Sequence, residues 1–122
     1  MLDHLTIRVS DLEKSKLFYD QVLAVLGMKI VLGQEGRFWG WGEGEHPEFE
    51  LSVPEESDPP HRRVHIAFRA KNKEQVDAFY QVALEAGATT NGEPGPRPDY
   101  SDTYYAAFVR DRDGNNVEVC VY

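Results

Sequence analysis

The stretch His4-Leu5-Thr6-Ile7-Arg8-Val9 returns, 61 residues later, as His65-Ile66-Ala67-Phe68-Arg69-Ala70. At the same offset Asp11 falls on Asn72, Glu13 on Glu74, Phe18-Tyr19 on Phe79-Tyr80 and Leu23 on Leu84. One residue of slippage then brings Leu26-Gly27-Met28 onto Ala86-Gly87-Ala88. Two copies are too few for a solenoid, which needs about three stacked units to bury its faces. They predict one domain with an internal pseudo-twofold axis.

Each copy reads alike. Leu5, Ile7 and Val9 alternate with His4, Thr6 and Arg8, the period-2 pattern of a half-buried strand. Val64, Ile66, Phe68 and Ala70 alternate with His65, Ala67 and Arg69. A helix should follow each strand. Ser10 with Glu13, and Asn72 with Gln75, fit capping boxes. Phe18, Val22, Val25 and Leu26 form one helical stripe; Val76, Phe79, Tyr80 and Ala83 form the other. Gly27 and Gly87 suit the helix C-termini. Three strands are then predicted near 28–33, 37–42 and 47–53, and again near 88–91, 103–110 and 116–122. Asp111-Arg112-Asp113-Gly114-Asn115 marks the turn before the last strand. The Pro-rich, acidic segment 54–62 reads as a linker, and Asn91–Asp102 as a long loop. The expected fold is therefore α+β. One domain over 1–122 comprises two βαβββ modules, 1–53 and 63–122, in pseudo-twofold arrangement. They form a curved mixed sheet with outer helices.

Composition narrows the function classes. Of 122 residues, 41% are hydrophobic and 28% charged, close to the norm for a globular chain. No apolar stretch, Val22 to Leu26 among them, approaches the roughly 20 residues that span a bilayer. A net charge of −8, with no basic run beyond Arg62-Arg63, argues against nucleic acid as a partner. The first residues lack an apolar signal core, and a lone Cys120 excludes an internal disulfide. A cytoplasmic location, with neither membrane nor nucleic acid as partner, is the expectation. Gly40-Trp41-Gly42-Glu43-Gly44 lacks the following helix that a dinucleotide site needs. Asp111-x-Asp113-Gly114 places its glycine too early for an EF-hand.

The alternation also sorts polar residues. His4 and His65 lie opposite the apolar faces of the two first strands. Glu50 alternates with Phe49, Leu51 and Val53, and Glu118 with Val117, Val119 and Val121. If the apolar faces pack on helices, each module offers one imidazole and one carboxylate on its other face. Two His and two Glu suit one borderline or hard divalent ion: Zn, Ni, Fe, Mn or Co.

Three segments carry a family resemblance: His4 to Tyr19 (HLTIRVSDLEKSKLFY), His65 to Phe68, and Ala107 to Glu118 (AFVRDRDGNNVE). Together they resemble the glyoxalase, bleomycin-resistance and extradiol-dioxygenase group, the vicinal oxygen chelate superfamily. The last segment departs from the group's usual pattern at Arg112, where proline is common. The resemblance implies metal ligands at His4, His65 and Glu118, with Glu50 matching the fourth ligand of glyoxalase I. It implies metal-dependent lyase or isomerase chemistry of the glyoxalase I type on a small molecule with adjacent oxygens. Glu118 is then the first candidate for the carbon-proton base, with Glu50 as its partner. Arg8 matches an arginine that holds a glutathione carboxylate. Pro54 stands where the family usually has asparagine, which weakens a glutathione reading. Trp39 and Tyr104 are the aromatic candidates for substrate binding, among Phe38, Trp41, Tyr100 and Tyr105. One alternative is an Fe(II) extradiol-type dioxygenase using two His and one carboxylate, with His46 or His61 as an outer acid. Another is a drug- or metabolite-binding protein of the bleomycin-resistance type. The resemblance implies a homodimer, and leaves open whether one chain or two build the site.

Overall fold

The computed structural model describes residues 1–57, 59–60 and 63–122. The elements are β1 (Leu5–Arg8), α1 (Leu12–Val25), β2 (Lys29–Gln34), β3 (Phe38–Gly42) and β4 (Phe49–Ser52). They recur as β5 (His65–Arg69), α2 (Lys73–Glu85), β6 (Thr89–Pro96), β7 (Tyr105–Arg110) and β8 (Asn116–Val121). The fold is the predicted pair of βαβββ modules. Each builds a mixed four-stranded sheet, ordered β1-β4-β3-β2 and β5-β8-β7-β6. In both, the first strand runs parallel to the last, because the helix carries the chain across the sheet.

The helix ends follow local chemistry. The N-cap of α1 is Asp11, whose Oδ1 accepts from Lys14 N at 3.1 Å. This corrects the expected Ser10/Glu13 box by one residue: Asp11 is itself a good capping acceptor. In α2 the cap is Asn72 as predicted, accepting from Gln75 N at 2.9 Å. The Gln75 amide oxygen reaches Lys71 N at 2.7 Å. Both helices close on a left-handed glycine, Gly27 at φ 85° and Gly87 at φ 100°. The amides of Met28 and Ala88 return to the carbonyls of Leu23 and Ala83 at 3.1 and 3.0 Å, the paired closure of a Schellman motif.

The second correction concerns 91–102. That segment begins as strand, since β6 extends to Pro96 against β7. Its register shifts between Thr90 and Gly92 and again between Gly92 and Gly95. Prolines and glycines masked it, yet on an edge strand a missing amide costs no ladder bond and bulges are tolerated. Asp58, His61 and Arg62 lie outside the described residues, so part of the 54–62 linker and the outer-acid role of His61 do too.

One hydrophobic cluster runs through both modules. Phe49 of β4 meets Tyr19 of α1 at 4.9 Å between ring centroids and Phe68 of β5 at 5.3 Å. A buried polar tie crosses the same boundary. Tyr19 donates its phenol to Asp111 Oδ2 at 2.6 Å. Asp111 also accepts from the amides of Asp113 and Asn115 and from the Asn115 side chain, at 2.9–3.0 Å. The acidic turn between β7 and β8 is thus a structural clamp on α1. Burial first, then the Asp111 charge, pushes the Tyr19 phenol well above its usual range.

Candidate metal centre

The strand registers place the four candidate ligands. Thr6 lies opposite Glu50 across β1 and β4, and Ala67 opposite Glu118 across β5 and β8. On the other side Gly40 of β3 faces Glu50, and Phe108 of β7 faces Glu118. Each carboxylate therefore sits mid-sheet, on the face away from its helix, with the imidazole candidate near the start of the first strand.

In the second module His65 Nε2 lies 2.8 Å from Glu118 Oε2. Tyr104 donates its phenol to Glu118 Oε1 at 2.7 Å. Burial first, then hydrogen bonds to Cys120 and Glu118, push that phenol upward. Glu118 is only 3% exposed, while the His65 side chain remains 53% exposed. Among the described residues no lysine or arginine lies within 4.0 Å of Glu118. A buried carboxylate needs compensation, and here it has one phenol and one open imidazole. Tyr104 belongs to an aromatic group, stacked on Tyr122 at 5.2 Å and edge-on to Tyr100 at 5.1 Å.

In the first module Thr6 Oγ1 donates to Glu50 Oε2 at 2.6 Å. Gly40 leaves room beside that carboxylate: a Cβ there would come 3.0 Å from Pro47 and 3.4 Å from Glu50 Cγ. Arg8 Nη1 donates to Ser52 Oγ on the same face. His4 Nδ1 lies 2.8 Å from Asp3 Oδ1, and His46 Nε2 lies 2.9 Å from the same oxygen. The Asp3 hydrogen bond raises the His4 imidazole above its ordinary range, and the Glu50 charge adds to the rise.

Thus His65, Glu118 and Tyr104 meet in one half of the molecule, and His4, Glu50 and Arg8 share the other. Among the described residues the chain does not gather His4, His65 and Glu118 within 4.8 Å of one another. The group that does converge on that scale is Asp3, His4 and His46. Trp39 lies elsewhere. It pairs with Leu51 on the helix side of β3, with Lys16 of α1 4.9 Å above its ring. Trp41 shares that side, fully buried and donating to Asp20 at 3.2 Å. Alternation is the reason: neighbours of Gly40 must point away from Glu50. Tyr105 likewise turns to α2, donating to Asp77 at 2.7 Å. Sequence reasoning missed Asp3 and Thr6. Their signal was adjacency to His4 in one case and registry with Glu50 in the other, and the second needs strand pairing to be seen.

The family model for the glyoxalase/bleomycin resistance protein/dioxygenase superfamily matches residues 1–119. The chain belongs to this superfamily. It is 31% identical over 121 residues to the metallothiol transferase FosB of Shouchella clausii, spanning 97% of this chain and 77% of that protein. A glyoxalase/bleomycin resistance protein from Albidiferax ferrireducens superposes with a TM-score of 0.84 at 30% identity, covering 97% of this chain and 96% of its own. The lactoylglutathione lyase of Agrobacterium tumefaciens shares the fold at TM-score 0.71 and 24% identity, over 98% and 92% of the two chains. Superfamily members of this kind are typically metal-dependent and act on small molecules. No helix among the described residues is long and apolar enough to cross a membrane.

Proposed function

We propose that this chain is a divalent-metal-dependent enzyme of the glyoxalase type, acting as a lyase or isomerase on a small thiol adduct with adjacent oxygens. The carrying observation is the buried Glu118 carboxylate, which pairs with His65 and lacks a lysine or arginine partner among the described residues. Imidazole and carboxylate are a fitting donor set for Zn, Ni, Fe, Mn or Co. His4, His65 and Glu118 are the assigned ligands, with Glu50 as the fourth. Because the two halves of the set sit apart in one chain, the complete site forms between module one of one copy and module two of another, in a homodimer.

A bound divalent ion would stabilise negative charge developing on the adjacent oxygens of the substrate. The protein groups divide the remaining work. Glu118 is held at both oxygens, by Tyr104 and His65, and serves as an oriented ligand. Glu50 is held by Thr6 at Oε2, and Oε1 has no hydrogen-bond partner among the described residues. It is the better group to take a carbon-bound proton and return it to the neighbouring carbon. Arg8, which donates to Ser52, is the proposed partner for an anionic substrate group. A second reading, transfer of a thiol to a small molecule, is favoured by the 31% identity to a metallothiol transferase.

The test is metal analysis of the purified, untagged protein with His4→Ala, His65→Ala and their one-to-one mixture. The expected result is about one ion per chain, lost in each variant, and a light-scattering mass of two chains. A site shared between copies recovers part of its metal in the mixture, because one site of each mixed dimer is intact. A metal-loaded protein of single-chain mass, with no recovery, overturns the shared site. Bound Fe with ring-cleaving activity would overturn the lyase reading in favour of a dioxygenase. No metal uptake would leave a small-molecule binding protein.

A further inference from the structure

We propose that Asp3, braced by His46, is the positioning residue that fixes His4 as its Nδ1–H tautomer and leaves Nε2 as the metal donor. This rests on reading His4 as a ligand. The chemistry is restrictive. A carboxylate only accepts, and a neutral imidazole has one donor nitrogen and one acceptor nitrogen. With His4 Nδ1 2.8 Å from Asp3 Oδ1, the proton belongs on Nδ1 and the lone pair on Nε2. The two nitrogens lie on opposite sides of the ring, so the donor faces away from Asp3.

Asp3 alone would orient His4 poorly, since its side chain is 70% exposed and precedes β1. His46 supplies the restraint. It comes from the connection between β3 and β4 and gives the same Asp3 oxygen a second donor at 2.9 Å. That connection is itself tied to the N-terminal strand, because Leu5 N donates to Glu48 O at 3.0 Å. The β3–β4 connection, Asp3 and His4 thus form one chain of contacts ending on the candidate ligand. The two carboxylate candidates are braced similarly, Glu50 by Thr6 and Glu118 by Tyr104. Outer partners of this kind set ligand orientation, and losing one costs about 10–100-fold in metal affinity.

The test is Zn(II) titration of the full chain against a competing chromophoric chelator, with Asp3→Ala, Asp3→Asn, His46→Ala and His65→Ala. A long-range proton–nitrogen spectrum of the metal-free protein, at a pH where imidazoles are neutral, reads the His4 tautomer directly. The expected result is Nδ1–H in the wild type and a tautomer mixture in Asp3→Ala. Zn(II) affinity should fall about 10–100-fold in Asp3→Ala and less in His46→Ala, with partial rescue by Asp3→Asn, which keeps an acceptor. Wild-type affinity in Asp3→Ala, or an Nε2–H tautomer in the wild type, overturns the proposal. So does Zn(II) binding abolished by His46→Ala but untouched by His65→Ala, which would make Asp3, His4 and His46 the chelate. A wild type that binds no Zn(II) yet shows the Nδ1–H tautomer sinks the metal-enzyme reading and the donor role of Nε2, while the Asp3 contact stands.

Discussion

Glu118 shows how much of a site depends on one hydrogen bond. Its two oxygens are divided between Tyr104 and His65, at 2.7 and 2.8 Å. Tyr104→Phe removes the first bond and little volume. Zn(II) affinity is expected to drop about 10–100-fold while the unfolding midpoint moves little, because the ring can still stack on Tyr122. Isothermal titration paired with thermal unfolding separates the two effects. A large loss of stability with unchanged affinity would make Tyr104 a packing residue. The phenol was legible in the sequence only as one of several aromatics near a loop. Its partner became visible once β7 and β8 were in register.

At the scale of elements, the repeat works because each helix is started and stopped by its own residues. Asp11 and Asn72 open the helices, and Gly27 and Gly87 end them in the left-handed region. A Cβ at Gly27 would meet nothing within 4 Å, so Gly27→Ala tests backbone conformation alone. It is expected to cost about 1–2 kcal/mol in urea unfolding, the penalty of a side chain in the left-handed well. A neutral result would mean that the turn relaxes to another closure. The same stop signals were readable from composition, because only glycine adopts that conformation readily. The extent of β6 was not, since Gly92, Gly95 and Pro96 read locally as loop and pair only because β7 is there.

At the scale of the molecule, the two modules are joined by a common core and by the Tyr19–Asp111 bond. The folded-state Tyr19 phenol titrates above the ~10 of an unfolded tyrosine. Its protonated form therefore contributes stability that is complete below about pH 10 and is lost as pH rises beyond it. Tyr19→Phe should cost about 1–3 kcal/mol near neutral pH and flatten the alkaline fall in stability relative to wild type. Denaturant melts of both proteins across the alkaline range check this. Parallel alkaline limbs would show that Tyr19 is not the group responsible.

The sequence by itself determined the module, its duplication and the faces of its strands. Those depend on periods of two and 3.6 residues and on caps, which are local. It therefore placed His4, Glu50, His65 and Glu118 away from the helices. Only the tertiary structure decided which of them meet. Registry between β5 and β8 joins His65 to Glu118, whereas His4 turns to Asp3 and His46 and Glu50 to Thr6. Registry likewise sends Trp39 and Trp41 to the helix side. Contacts of this kind depend on how distant strands align and how whole modules pack, and no local period encodes either.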